Sequence, residues 1–177
     1  KSGAGFTLVE LLVAIGVFSI LISVAVGTFA RALRTQRQTA ALIAANSNAS
    51  LVLEQMAREI RTGFDFCPPS GGGSSPCAGG IVRELVFTNA KGEQVTYRLA
   101  NGGIEKEVNG TASFITAGNV VVARLSFSVL GYAKGDKYPP RVAIALGVSP
   151  KSTDPGVAET VTNLATTVSA RLLDPLE

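Results

Sequence analysis

One carboxylate interrupts an otherwise apolar run. Between Phe6 and Ala30 the sole charged residue is Glu10. An acidic side chain at a bilayer centre costs about 2.5–3.5 kcal/mol on insertion scales. A carboxylate at the entrance of such a run needs a neutralising partner, and it marks a functional site by default. A second chemical pair is Cys67 and Cys77, separated by Pro-Pro-Ser-Gly-Gly-Gly-Ser-Ser-Pro. The chain has no histidine to complete a common zinc site. A disulfide closing this loop is the preferred reading, and two reduced thiols are the alternative. A ring of about 11 residues contributes roughly 2.5–3 kcal/mol in the loop-entropy treatment. A disulfide also implies an oxidising, extracytoplasmic compartment.

Other candidate chemistry is sparse. Without histidine the usual general base near neutral pH is missing. The serines follow neither a nucleophile-elbow nor a Ser-x-x-Lys pattern. Glu105 and Glu107 share one outward strand face and read as solvated surface. Gly71–Gly73 lacks the Lys-Ser/Thr that follows a phosphate loop. Asp154 with nearby carbonyls offers too few oxygens for calcium, and Asp136, beside Lys134 and Lys137, reads as a surface turn. No catalytic residue, metal site or cofactor is predicted, and the chain is not expected to be an enzyme. The net charge of +3 is too small to argue for nucleic acid. Arg31, Arg34 and Arg37 form one basic group, facing lipid head groups or a protein interior. Lys134, Lys137 and Arg141, beside Tyr132 and Tyr138, form another. Solvated loop charge is the preferred account of the second, and nucleic acid stays a possible partner without support.

These residues need a scaffold. Residues 11–30 carry no charge over 20 positions, the length of a bilayer-spanning helix of about 20 residues. A secretory signal would have a shorter apolar core ending in a small-x-small cleavage site. No proline occurs from 6 to 62. Leu42, Ala45, Ala49, Val52, Met56 and Ile60 recur at helical spacing and predict an amphipathic second half. Gly63 suits a C-cap, with Arg58 and Arg61 near the negative end of the dipole. One helix of about 55 residues is expected. The period then changes to alternation, with about six strands expected at 81–88, 93–99, 104–108, 120–130, 142–148 and 160–172. Val95, Tyr97 and Leu99 share one predicted face. Asn109-Gly110 predicts a hairpin, and a parity slip at Ala123-Arg124 predicts a bulge. The fold class is α+β, a long N-terminal helix packed on an antiparallel sheet.

The sequence Gly5-Phe6-Thr7-Leu8-Val9-Glu10, set before this run, resembles the type IV filament proteins, the pilins and pseudopilins. The resemblance implies that a prepilin peptidase cuts between Gly5 and Phe6 and methylates the Phe6 amine. It implies assembly roles for Glu10 and Thr7, with Glu10 paired to the Phe6 amine of a neighbouring subunit. Implied partners are the peptidase, other pilin-like subunits in a hetero-oligomeric filament, and an assembly-platform membrane protein. Gly27 departs from the proline that many major pilins carry there. Leu51–Arg61 looks like the equivalent stretch of larger minor subunits, the J-type pseudopilins and PilW-type minor pilins. The expected organisation is a partial leader at 1–5, a membrane or filament-core helix at 6–30 and an amphipathic helix at 31–63. A disulfide-closed loop at 64–80 and a sheet domain at 81–177 follow. The implied function is a minor subunit of a type IV pilus or type II secretion pseudopilus. The alternative is a DNA-uptake pseudopilin or a tip-located adhesive or DNA-binding subunit. Arg31, Arg34 and Arg37 follow the span and oppose the positive-inside tendency. The disulfide places the C-terminal domain outside, so the expected topology is single-pass, N-terminus in.

Overall fold

The computed structural model describes residues 5, 7–68, 77, 80–132, 138–152 and 155–171. The chain divides into two units, residues 1–40 and 41–177. The first is occupied by the beginning of helix α1 (Leu8–Arg61, 54 residues). Every residue from Leu8 to Arg37 is exposed, and the helix is long and apolar enough to cross a membrane. Its hydroxyls do not compete with the helical ladder. Ser19 donates to the Ile15 carbonyl at 2.8 Å, Ser23 to Ser19 at 2.8 Å and Thr28 to Val24 at 2.9 Å. Each polar group is thus satisfied inside the segment, as an apolar solvent requires.

In the second unit the remainder of α1 buries Ala45, Ala49, Val52, Leu53, Met56 and Ile60. This is the predicted stripe, with Leu53 added and Leu42 only half-buried. The helix tightens as it ends: the Thr62 N–H donates to Glu59 at 3.3 Å and the Gly63 N–H to Ile60 at 3.1 Å, both three residues back. The Arg171 N–H then caps the Arg61 carbonyl at 2.8 Å. Gly63 does follow the helix, but a left-handed backbone is not why it is glycine, because its φ is not positive. A Cβ there would lie 2.6 Å from Cδ2 of Phe87. The reason is close approach.

Among the described residues eight strands follow: β1 (Ile81–Val82), β2 (Glu84–Thr88), β3 (Gln94–Ala100), β4 (Gly103–Val108), β5 (Thr111–Phe114), β6 (Val120–Leu130), β7 (Arg141–Pro150) and β8 (Thr162–Ser169). They form two four-stranded antiparallel sheets, ordered β1-β6-β7-β8 and β2-β3-β4-β5. Two expectations need correcting. The single predicted strand at 81–88 is two strands in different sheets: Ile81 pairs with Ser128, whereas Leu85 pairs with Tyr97. The hairpin at Asn109-Gly110 also has a second arm, β5, whose four residues are all exposed and give no alternation to read. A short helix α2 (Pro155–Ala158) lies between β7 and β8.

Other signals appear as predicted. Asn109 and Gly110 have φ of 49° and 84°, and Asn101 and Gly102 have 48° and 72°. Both pairs are two-residue hairpin turns with two positive φ values, the geometry Asn-Gly favours. The β6–β7 register shifts between Val122 and Arg124. Val142, Ile144, Leu146 and Val148 are all buried. With Met56, Ile60, Phe87, Tyr97 and Phe127 they belong to one core, each large side chain contributing about 1.5–3 kcal/mol on burial. Leu99 keeps its register opposite Ile104 but is 38% exposed near the end of the β3–β4 ladder.

Candidate assembly site

The helix begins with a cap. The Glu10 N–H donates to the Thr7 hydroxyl at 3.2 Å, and the Leu11 N–H to the Thr7 carbonyl at 3.2 Å. Thr7 is thus the N-cap residue of α1, and Thr7-x-x-Glu10 has the spacing of a capping box. The signal was in the sequence, a threonine and a glutamate three apart ahead of an apolar run, but Thr7 was read there for assembly and not as a cap. Glu10 is exposed, and it sits in the first turn, where a carboxylate offsets the positive end of the dipole. Gly5 is exposed. Phe6 lies outside the described residues, as do Asp136, Asp154, Lys134, Lys137 and Gly71–Gly73.

Cys67 and Cys77 are joined in a disulfide with Cα atoms 5.9 Å apart, and both are buried. The chain leading to this bond covers a sheet edge. Phe64 and Thr88 exchange N–H···O bonds of 2.9 Å, and the Cys67 N–H donates to Val86 at 2.8 Å. Phe66 stacks on Phe87 with ring centroids 5.4 Å apart. The exposed edge of β2 is thereby paired rather than left open. Asp65 and Cys67 accept positive φ values of 50° and 54° to make this turn.

A polar cluster joins helix and sheet in the second unit. Lys106 Nζ donates to Glu59 at 2.8 Å, and the Tyr97 hydroxyl donates to the same carboxylate. Tyr97 and Lys106 face each other directly across β3 and β4. Burial raises the Glu59 carboxyl, but the Lys106 and Tyr97 hydrogen bonds and the Lys106 charge outweigh it and hold the group below its ordinary value. Burial, then the bond to Glu59, pushes the Tyr97 phenol up. Sequence reasoning missed this cluster. The signal was Lys106 itself, which shares strand parity with Ile104 and Val108 rather than with the flanking glutamates.

Glu105 and Glu107 are not simply solvated. Arg98, directly opposite Glu105 in the ladder, bonds to it and reaches Glu107 at 2.7 Å. Their side chains are 13% and 29% exposed, so one guanidinium bridges two half-buried carboxylates. Arg31, Arg34 and Arg37 are exposed on α1, and Arg141 is exposed at the start of β7. Tyr132 is half-buried and Tyr138 exposed. Among the described residues no three of His, Cys, Asp and Glu converge as a metal ion requires.

Residues 1–26 match the family described as the prokaryotic N-terminal methylation motif. No curated protein and no solved structure matches the chain. The matched stretch contains the Gly5–Glu10 hexapeptide, the Thr7 cap and most of the exposed apolar helix. A methylation motif opening a 54-residue helix, followed by antiparallel sheets, is a pilin-like build, and the motif this chain carries is that of the type IV pilin and pseudopilin family.

Proposed function

We propose that the chain is a structural subunit, a minor pilin or pseudopilin, of a type IV pilus or type II secretion pseudopilus. A prepilin peptidase removes residues up to Gly5 and methylates the Phe6 amine. The apolar half of α1 anchors the subunit in the cytoplasmic membrane as a single pass, with the disulfide-bearing domain extracytoplasmic. Assembly moves that helix from lipid into a bundle of like helices, driven by a platform protein and other subunits. The observation carrying this reading is the methylation motif at 1–26 continuous with a helix exposed on every side.

Glu10 supplies register. Its carboxylate pairs with the Phe6 amine of a neighbour, and methylation leaves that amine charged. Both ions lose water, so the net gain is modest. The larger effect is the penalty on any docking that leaves a charge unpaired. Mass spectrometry of fibres sheared from native cells tests the assignment. Peptides from 81–171 together with a methylated Phe6 peptide are expected in the fibres, below the level of the major subunit. Processed protein held in the membrane and absent from fibres points to a pseudopilus. Protein with an uncut Gly5–Phe6 bond defeats the reading.

A further inference from the structure

Three of the four sheet edges are short or covered. Strand β1 has two residues and β5 has four, while the β2 edge is paired with Phe64 and Cys67. The fourth edge, β8, is different. It runs for eight residues at the end of its sheet. Its register with β7 has no shift, so it has no bulge. It contains neither proline nor charge. Proteins blunt open edges with those devices, because a row of unpaired N–H and C=O groups recruits another strand.

The bonding direction along β8 follows from its end. The Ala170 N–H donates to the Pro140 carbonyl at 2.8 Å, and these two residues continue the β7–β8 register. In an antiparallel ladder such bonded pairs recur at every second residue. Thr162, Leu164, Thr166 and Val168 therefore bond to β7. Asn163, Ala165, Thr167 and Ser169 turn their N–H and C=O groups to the open edge, and all four are exposed.

The charges flanking the strand say what fits there. Residues 160–170 are uncharged, and the first charges on either side are Glu159 and Arg171. They stand six residues before and six after Ala165, with opposite signs. Both are exposed, and among the described residues neither side chain has an ion-pair partner. We propose that the β8 edge binds the β8 edge of a second copy of this chain, antiparallel, with Ala165 on the two-fold axis. Asn163 of each copy then faces Thr167 of the other, and Glu159 faces Arg171. Outward-bonding residues meet outward-bonding residues, so both backbone rows are satisfied. The side chains at the axis are small and leave the backbones free to approach. Shifting the register separates the two ion pairs, which is how charge selects this alignment. Both copies use the same surface, so the contact closes at two and does not propagate. It lies in the second unit and does not depend on the membrane reading of α1.

The test is cysteine cross-linking of the full chain in detergent. Across such a pair the two Ala165 Cα atoms stand about 5.5 Å apart, within disulfide range. Ala165→Cys is expected to give a covalent dimer under mild oxidation, whereas Ser169→Cys, roughly 26 Å from its own copy, is not. Cys67 and Cys77 are already bonded to each other and buried. Equal cross-linking at both positions overturns the proposal. Sedimentation supplies the second readout. Ala165→Pro removes an N–H that faces the edge and leaves the β7 ladder intact. It is expected to weaken the dimer at least tenfold with circular dichroism unchanged. Glu159→Arg alone and Arg171→Glu alone are each expected to weaken it by about tenfold, since each breaks two symmetric pairs. The double variant Glu159→Arg/Arg171→Glu is expected to recover native affinity, an outcome that a folding defect cannot produce. A native chain that stays monomeric at tens of micromolar overturns the proposal. So does a dimer undiminished in Ala165→Pro, which places the contact elsewhere, and so does a double variant no better than the single ones.

Discussion

The two units use apolar residues in opposite ways. In residues 8–40 Leu, Val, Ile and Phe occupy every side of the helix and stay exposed, Leu12 at 66% and Phe18 at 62%. In residues 41–61 the same helix confines its large buried side chains to one stripe, with Met56 and Ile60 at 0% exposure. The first pattern is stable only in a solvent as apolar as itself, lipid or other helices. The second carries its own solvent, the core of the sheet domain. Polar groups follow suit. The first half ties its hydroxyls to its own carbonyls, while the second uses Glu59 to reach Tyr97 and Lys106 far along the chain. One part stores its stability in an environment to be met, and the other in contacts already made.

That contrast is open to direct attack. The largest effect is expected from Glu10→Ala, which removes the one charge in the apolar run. Its abundance in sheared fibres should fall by an order of magnitude or more, from an unpaired amine costing about 3 kcal/mol. Cleavage at Gly5 and the unfolding temperature of the sheet domain should stay unchanged. Normal fibre levels of the variant would sink the role given to Glu10.

Next come matched truncations on the two halves of α1. Met56→Ala should destabilise the sheet domain by about 2–5 kcal/mol, through lost burial and the cavity left behind. Leu12→Ala should leave that domain's thermal unfolding in detergent unchanged. Equal shifts from both would erase the distinction between the units. A smaller loss is expected from Gly63→Ala. A Cβ at 2.6 Å from Phe87 forces the ring or the helix end to move, at about 1–3 kcal/mol. A variant as stable as the native chain would show that the contact yields freely.

The smallest effect is the pH dependence of the Glu59 cluster. Its carboxyl titrates below its ordinary value in the folded chain, so the unfolded chain binds the proton more readily. The contribution is therefore present above the ordinary carboxylate value of 4.5 and is lost as pH falls through the lower folded value. Denaturant titrations should show Glu59→Gln flattening this acid-side slope, by about 1 kcal/mol at most for a partly solvated pair. An unchanged slope would assign the acid sensitivity to another carboxylate.

Features written in a short stretch of chain were legible. The hexapeptide Gly5–Glu10, the uncharged run, the buried stripe of α1, the Asn109-Gly110 turn and the bulge before Arg124 all depend on local spacing. The failures share a different cause. Glu105 and Glu107 read as solvated because strand parity says which face a side chain takes and nothing about what stands opposite. The β3–β4 register brings Arg98 to them. The strand at 81–88 read as continuous because Arg83 breaks no pattern, yet its halves pair with strands distant from each other in sequence. Gly63 read as a cap because glycine beside a helix end has a ready local explanation, and the ring of Phe87 is not local.

The sequence by itself determined the methylation motif, the helix that begins within it and the change from helical to strand periodicity, since each is a pattern of residue types along one stretch of chain. It also determined where the hairpins turn, because Asn-Gly accepts two positive φ values at low steric cost. Only the tertiary structure decided that the strands divide into two sheets, that one arginine bridges two glutamates and that Lys106 turns inward to Glu59. Those outcomes rest on which distant segments meet, and the energy that selects among such meetings comes from packing and charge across the fold rather than from any one segment's own preference.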